Sequence, residues 1–367
     1  MSNNTHINSN MAPVRWRLLV VVMLLLGVSS TRFAAAQTMQ QPTVLVSGLS
    51  RPHAVAIDGG YVYWTDVGTG TVNRVNLNGQ NMTTIATGGM QPNALVVDGG
   101  YVYWTDFTAG TVSKAPIAGG EVTVLAKQQS YPLSILIYEG YVYWAESLAG
   151  NINRLPIDGG PIESLVTSRL GIADFGIYAG RLYWTEGFTQ GGDVSQISSA
   201  PLQGGNVSFF VKALKPWSMV IVGDDLYWTE YRWGGVKEVS LTTGNVTQVY
   251  AHFAQDDDFS ITADDQHVYW TQRVSGNIME ATLYGDSVMT IAANQTGPYG
   301  IATDGTHLVW TEEKAGTVML HNLAQANLNL IGPEIMAVLI LIVASAASVA
   351  FRLKRRSKLH PSDIHRN

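Results

Sequence analysis

The sequence predicts an all-β protein: a seven-bladed β-propeller of four-stranded blades, closed by an N-terminal strand and followed by one C-terminal transmembrane helix. Three observations lead to the propeller. A Tyr-Trp-Thr-Asp-like motif occurs seven times, and its tryptophans are 40, 40, 40, 44, 42 and 40 residues apart. Each period also divides into four short strand-like segments separated by glycine-rich turns. Four strands in a period of about 40 residues are typical of a propeller blade, whereas a β-solenoid has much shorter coils.

Residues 1–36 are predicted to form a signal peptide. Arg15 and Arg17 precede the apolar stretch 18–28, and the three alanines at 34–36 provide a small-residue cleavage site. The apolar stretch is shorter than the roughly 20 residues that a transmembrane helix needs. An uncleaved signal anchor is the alternative interpretation of the same pattern.

Residues 37–323 are predicted to form the propeller. The sequence Tyr-Val-Tyr-Trp-Thr-Asp stands at both 61–66 and 101–106, and weaker copies continue to Trp310. Aromatic and β-branched residues alternate within each copy, as they do in strands. In the second period the predicted strands are 93–98, 101–105, 111–117 and 121–126.

The two ends of the repeat region predict how the ring closes. Residues 43–46 precede the first complete period and match the fourth-strand segment 123–125, while the last period stops after its third strand near Leu323. The N-terminal strand is therefore expected to complete the last blade. Closure matters because an open ring would leave strand edges unpaired.

The C-terminal region is predicted to cross the membrane once. Residues 324–334 would be a juxtamembrane linker, 335–351 a transmembrane helix and 352–367 a basic cytoplasmic tail. The segment 335–351 has no charged residue, and five of the next seven residues are Lys or Arg. Positive charge beside a span marks its cytoplasmic end. We therefore expect a protein of the cell membrane with its propeller outside.

Composition excludes several functional classes. Residues 37–330 hold 26 Asp and Glu against 13 Lys and Arg, so nucleic acid is not an expected partner, because phosphate binding requires a basic surface. The absence of cysteine excludes disulfides, cysteine-ligated zinc and a cysteine nucleophile. Nucleophile-elbow, phosphate-loop and HExxH motifs are also missing. We assign no catalytic residue, cofactor or metal ligand.

The repeated tryptophans are predicted to be structural. Each recurs once per blade on the second strand, where it would pack between neighbouring blades. The seven are Trp64, Trp104, Trp144, Trp184, Trp228, Trp270 and Trp310. The acidic residue two positions later is predicted to accept hydrogen bonds between blades, with Gln272 as the exception.

Binding residues are expected on the face that differs between blades. We label the strands of a blade a to d from the channel outward. The a–b and c–d turns repeat Asp-Gly-Gly, at 58–60, 98–100 and 158–160 for example; we call this side the repetitive face. The b–c and d–a loops differ in sequence and carry the insertions around 187–194 and 252–258; this side is the variable face.

The residue eleven positions before each tryptophan should lie at the channel mouth on the variable face. Around the ring these residues are His53, Asn93, Leu133, Ala173, Trp217, Phe259 and Tyr299. Aromatic rings with a few placed polar groups are typical of binding surfaces. The predicted ligand site consists of His53, Trp217, Phe259 and Tyr299, with Trp233 and Asp257 in support. The alternative is that these rings only close the top of the channel.

The repeated motif over residues 43–323 resembles the YWTD propeller family, the class B repeat of low-density lipoprotein receptors. The receptor propellers have six blades and adjoin cysteine-rich EGF modules, whereas seven blades and no cysteine are found here. A second resemblance is to the seven-bladed streptogramin (virginiamycin B) lyases. Residues 297–302 (Gly-Pro-Tyr-Gly-Ile-Ala) and 310–312 (Trp-Thr-Glu) carry it. Those enzymes use His and Glu around a magnesium ion.

Three functions fit these observations. The first is a membrane-anchored binding, adhesion or receptor-like protein that presents its variable face to an extracellular protein, peptide or glycan. The second, implied by the lyase resemblance, is a metal-dependent lyase or hydrolase with His53 as base and an acid from 256–258 or Glu313. The third is a structural spacer.

Overall fold

The computed structural model describes residues 41–169, 171–187, 195–231, 235–251 and 257–323. The predicted signal peptide, linker, transmembrane helix and basic tail lie outside these residues. Within them, no helix is long and apolar enough to cross a membrane.

The described residues contain 28 strands in seven four-stranded sheets, which confirms the predicted blade number. The first half of the ring comprises β1 (Thr43–Val46); blade 1, β2 (Pro52–Asp58), β3 (Tyr61–Asp66), β4 (Thr71–Asn76) and β5 (Thr83–Ala86); blade 2, β6 (Pro92–Asp98), β7 (Tyr101–Asp106), β8 (Thr111–Pro116) and β9 (Thr123–Ala126); and blade 3, β10 (Pro132–Tyr138), β11 (Tyr141–Glu146), β12 (Asn151–Pro156) and β13 (Glu163–Val166).

The second half of the ring has the same plan, with loops of more varied length. It comprises blade 4, β14 (Phe175–Tyr178), β15 (Arg181–Glu186), β16 (Gln196–Pro201) and β17 (Ser208–Lys212); blade 5, β18 (Pro216–Val222), β19 (Asp225–Glu230), β20 (Gly235–Ser240) and β21 (Val246–Tyr250); blade 6, β22 (Asp258–Ala263), β23 (His267–Gln272), β24 (Asn277–Thr282) and β25 (Val288–Ala292); and blade 7, β26 (Pro298–Thr303), β27 (His307–Glu312) and β28 (Thr317–Asn322).

The ring closes through its N-terminal strand, as predicted. The strand order of the last sheet is β1-β28-β27-β26. Thr43 lies opposite Leu320 and Val44 opposite Met319 in an antiparallel pair. The first strand of the chain is therefore the outermost strand of blade 7, and the edge of β28 is paired rather than left open.

The glycine pairs of the repetitive face have a conformational cause. Between β2 and β3, Gly59 and Gly60 have φ angles of 56° and 80°. A two-residue hairpin turn of type I′ requires positive φ at both positions, which glycine adopts at little cost. The Asp-Gly-Gly turns thus keep this face short and uniform.

Within the described residues, the core consists of seven apolar clusters, each formed between two neighbouring blades. Trp64 of blade 1, for example, packs with Val309, Val318 and Leu320 of blade 7. All seven repeated tryptophans lie in such clusters and are buried. Burial of a tryptophan side chain at every junction stabilises the contacts between neighbouring blades.

Candidate functional site

The first strands of the blades contact one another around a central channel. A cavity of about 140 Å³ opens in this channel and is lined by two consecutive residues from every blade. In blade 1 these are His53 and Ala54, where the pairing of β2 with β3 shifts register between Pro52 and Val55. Such a β-bulge redirects side chains, and it explains how both residues face the channel.

The upper layer of the cavity contains the seven residues predicted to lie at the channel mouth. Their backbone is fixed by the threonine of the repeated motif. Thr229 Oγ1 accepts a hydrogen bond from Ser218 N at 3.2 Å and donates one to Phe259 O, in the next blade, at 3.0 Å. The same link from Thr311 to His53 O joins blade 7 to blade 1. Blade 3 has Ala145 instead of this threonine.

Four of the six predicted site residues form a continuous arc of rings. The ring centroids are separated by 3.7 Å for His53 and Tyr299, 4.4 Å for Tyr299 and Phe259, and 5.0 Å for Phe259 and Trp217. We call these four residues the aromatic arc; it extends over blades 5, 6, 7 and 1. Tyr231 continues it on the loop side, 6.2 Å from Trp217.

Of the other two predicted residues, only Asp257 can be placed, because Trp233 lies outside the described residues. Asp257 is half-buried next to β22, where its carbonyl accepts the Arg273 N–H at 3.0 Å, and it is not among the residues that line the cavity.

A cation covers part of the aromatic arc. The Arg273 guanidinium lies 5.1 Å from the Tyr299 ring centroid and 5.6 Å from that of Phe259. It also pairs with the Glu313 carboxylate, whose other oxygen is 3.9 Å from Arg51 Nε. Arg273, Glu313 and Arg51 thus form a charged network that joins blades 6, 7 and 1, and Arg273 also makes a cation–π contact with the rings. Arg273 is not among the site residues predicted from the sequence.

The lower layer of the cavity is polar on one side. Its residues, ten positions before each tryptophan, are Ala54, Ala94, Ser134, Asp174, Ser218, Ser260 and Gly300. Asp174 is also not among the site residues predicted from the sequence. Its position in the repeat could have revealed it, because every other blade has Ala, Ser or Gly there.

Asp174 ties three blades together. Its Oδ1 accepts hydrogen bonds from Ser134 Oγ at 2.7 Å and Phe175 N at 2.9 Å. Its Oδ2 accepts from Ser218 Oγ at 3.1 Å and Met219 N at 3.0 Å. Ser134 belongs to blade 3 and Met219 to blade 5, so the carboxyl group bridges the junction where Ala145 replaces the repeated threonine.

Two titratable groups of the cavity are shifted toward their neutral forms. Desolvation raises the pKa of the Asp174 carboxyl, against the four hydrogen bonds that favour the charged form. Desolvation, with the nearby positive charges of Arg273 and Arg51, lowers the pKa of His53 to about 3, while a hydrogen bond to the Asn93 backbone acts in the opposite direction. His53 is therefore neutral at pH 7.

This geometry limits what His53 can do as a base. An imidazole whose conjugate acid has a pKa of about 3 is a weak proton acceptor, since general bases work best with a pKa near the ambient pH. Of its proposed acidic partners, Glu313 is paired with Arg273. Asp258 is buried and accepts hydrogen bonds from Trp270 Nε1 at 3.1 Å and Gln272 Nε2 at 2.9 Å.

The Asp258 contacts also account for Gln272, the exception in the repeat. In blade 1 the carboxylate after the tryptophan, Asp66, accepts the Ser50 and Arg51 N–H groups of the incoming loop, each at 3.0 Å. Asp66 is thus an acceptor, but for the loop that leads into its own blade, whereas the predicted role was to accept hydrogen bonds between blades. In blade 6 the carboxylate belongs to Asp258 at the start of β22, and the residue opposite it after the tryptophan is the amide Gln272 on β23. Across the described ranges, no group of three His, Asp or Glu side chains is placed to hold a metal ion.

Comparison with known proteins supports the repeat assignment. Residues 60–98, one period from the first a–b turn to the end of β6, match the family model of the low-density lipoprotein receptor repeat class B. Comparison with curated proteins finds no match.

Solved structures share the fold. A streptogramin B lyase is 17% identical over 77% of this chain and 97% of its own, with a TM-score of 0.66. A catalytically inactive virginiamycin B lyase from Staphylococcus aureus, solved with quinupristin, is 20% identical over 77% and 99%, with a TM-score of 0.64. The hydrazine synthase of Kuenenia stuttgartiensis is 15% identical over 79% and 99%, with a TM-score of 0.65. The protein thus carries a low-density lipoprotein receptor class B repeat within a seven-bladed propeller.

Proposed function

We propose that this chain is a membrane-anchored, extracytoplasmic binding protein whose variable face takes a protein, peptide or glycan at the channel mouth. One observation carries the proposal: the aromatic arc forms one wall of an open cavity instead of repeating around the ring. His53, Trp217 and Tyr299 are only half-buried. Such rings supply contact area at low entropic cost. Membrane anchoring rests on the apolar segment 335–351 and the basic residues after it.

Exposed apolar side chains do not distinguish the two faces. Met90, Tyr131, Leu148, Leu214 and Val274 are exposed on loops of the variable face, and Met82, Val122, Ile162, Val207 and Tyr284 are exposed on c–d turns of the repetitive face. The proposal therefore depends on the aromatic arc at the channel mouth.

The test uses the full-length chain in detergent, probed on peptide and glycan arrays. Wild type is expected to bind a defined set of spots, and a Trp217→Ala, Tyr299→Ala variant should lose them. Tyr284→Ala is the matched control, because this tyrosine is 87% exposed on a c–d turn of the repetitive face. Spots kept by both variants would refute the site. Empty arrays for wild type would refute a peptide or glycan ligand of the classes displayed.

A metal-dependent lyase or hydrolase is the alternative, and the position of His53 at the channel mouth is the observation in its favour. It predicts turnover of a cyclic peptide such as quinupristin that both EDTA and His53→Ala abolish. Turnover that survives both treatments would exclude this mechanism.

A further inference from the structure

We propose that the channel cavity binds a primary ammonium group, with Asp174 as its countercharge and the aromatic arc as its apolar wall. The inference rests on the proposed function, since it names the chemistry that a ligand of the variable face inserts into the channel. Three features of the cavity lead to it. They are a carboxyl group without a salt bridge among the described residues, serine hydroxyls whose remaining lone pairs can only accept hydrogen bonds, and a volume suited to a small head group.

The first feature is the Asp174 carboxyl, whose two oxygens accept four hydrogen bonds and are therefore surrounded by donors suited to the charged form. All four groups that hydrogen-bond to it are neutral: two serine hydroxyls and two backbone amides. Among the residues the structure describes, none forms a salt bridge to it within 4.0 Å. A desolvated carboxylate is costly unless a cation accompanies it. A cationic ligand would supply the missing partner.

The second feature is the direction of the serine hydroxyls. Ser134 and Ser218 each have one O–H, and both donate it to Asp174. Their remaining lone pairs can only accept hydrogen bonds. A group that meets these oxygens in the cavity must therefore be a donor. A primary ammonium carries three N–H donors and a positive charge, so it satisfies the hydroxyls and compensates the carboxylate together.

The third feature is the size of the cavity and the number of side chains that it could offer to a metal ion. A cavity of about 140 Å³ holds several waters, or an ammonium head with a short alkyl chain, but lies below the roughly 300–1,000 Å³ of typical drug-sized pockets. A hard divalent ion such as Ca²⁺ needs six or more oxygen ligands. The described residues offer no cluster of three metal-binding side chains, which favours an organic cation.

The aromatic arc fits the rest of such a ligand. Trp217 and Phe259 stand directly before Ser218 and Ser260 in the chain, so rings and hydroxyls line the same cavity in adjacent layers. The aromatic residues of the lining provide apolar contact for the alkyl chain of such a ligand, and a cation is attracted to an aromatic ring face that it meets. The ammonium comes either from a free small amine or from a lysine side chain of a peptide.

The experiment measures binding to full-length protein by calorimetry and ligand-observed NMR. The probes are n-butylammonium and Nα-acetyl-lysine amide, each beside a neutral counterpart: n-butanol and the Nε-acetylated lysine derivative. We expect saturable binding of at least one ammonium probe and of neither neutral one. Binding of butylammonium alone indicates a free amine; binding of the lysine probe indicates a peptide source.

Asp174→Asn is the decisive variant, because it keeps the shape and removes the charge. Its affinity for the ammonium probe should fall at least about tenfold, as expected when one partner of a desolvated charge pair is lost. Asp225→Asn, at the start of β19 beside the a–b turn of the repetitive face, should bind like wild type. If Asp174→Asn does not fold, Ser134→Ala, which removes one hydroxyl acceptor, is expected to weaken the same binding.

Absence of saturable ammonium binding, equal binding of butanol, or unchanged affinity in both folded variants would overturn the inference. Asp174 would then serve only to tie blades 3, 4 and 5. This outcome is separable from failure of the proposed function. Array ligands that depend on Trp217 but not on Asp174 would leave the variable face as a binding surface, whereas ammonium binding with empty arrays would leave only a small-molecule cavity.

Discussion

Blade 5 contains two tryptophans that serve different regions of the molecule. Trp228, on β19, is fully buried in the cluster between blades 4 and 5. Trp217, on β18, is half-buried at the channel mouth. The position of Trp228 holds tryptophan in all seven blades, whereas that of Trp217 holds seven different residues. Positions with the same residue in every blade therefore stabilise the ring, whereas positions that differ between blades give one sector of the channel mouth its aromatic side chains.

Backbone hydrogen bonds show how the two regions are connected. The threonine next to each repeated tryptophan, where present, donates to the carbonyl of the channel-mouth residue in the next blade. The repeated framework thus holds the backbone of the variable residues while leaving their side chains free to differ. Removal of framework groups should reduce stability, and removal of mouth groups should mainly change binding.

The largest difference is expected between the two tryptophans. Trp228→Ala should lower the free energy of unfolding by about 3–5 kcal/mol, because it leaves a cavity in a buried cluster. Trp217→Ala should cost about 1 kcal/mol or less, because its ring is partly solvated and lines an existing cavity. Urea denaturation followed by circular dichroism measures both. Equal losses would contradict the division between framework and mouth.

The threonine link is expected to have the next largest effect. Thr229→Val keeps the shape but removes the hydroxyl that accepts from Ser218 N and donates to Phe259 O. Leaving these buried groups unpaired should cost about 2 kcal/mol. Thr242→Val, an exposed hydroxyl on the repetitive face, is the control and should change stability by less than about 0.5 kcal/mol. A stability loss for Thr229→Val as small as that for Thr242→Val would mean that the threonine link contributes little to stability.

His53 makes the channel mouth sensitive to acid. Its pKa is about 3 in the folded protein and 6.5 in its unperturbed state, so the unfolded chain binds the additional proton between these values. The contribution of His53 to stability is therefore complete above pH 6.5 and declines as the pH falls toward 3. At pH 5 the loss relative to pH 7 should be about 2 kcal/mol.

His53→Phe provides the comparison for this pH dependence. The variant keeps a ring beside Tyr299 but has no titrating group, so carboxylates elsewhere titrate equally in both proteins. The difference in unfolding free energy between wild type and variant should be flat above pH 7 and change steadily below pH 6.5. A difference that stays constant down to pH 4 would contradict the lowered pKa.

The smallest stability effect is expected on the exposed loops of the variable face. Leu148 is 70% exposed on the b–c loop of blade 3. Leu148→Ser should change the free energy of unfolding by less than about 0.5 kcal/mol, measured by thermal melting. A loss comparable to that of Thr229→Val would show that this loop belongs to the framework.

Much of the site geometry could be predicted because the repeat is regular. A constant offset from a buried tryptophan places a residue at the same height in every blade, so the channel-mouth residues were identified without a structure. The offset does not show which side chains meet across the channel. The hydrogen bonds of Asp174 and the contact of Arg273 with Tyr299 depend on side chains brought together from different blades. The hydrogen bond from Gln272 to Asp258 depends on the pairing of two strands within blade 6.

The blade number, the strand positions and the closing strand could be predicted from the amino-acid pattern, because they follow from local periodicity and the phase of the repeat at each end. The folded ring was needed to show that Ser134, Asp174 and Ser218 share one hydrogen-bond network and that four rings form a single arc. These residues lie about 40 residues apart or more, and closure of the ring brings them together. Local periodicity sets where each strand lies; closure determines its neighbours across the channel.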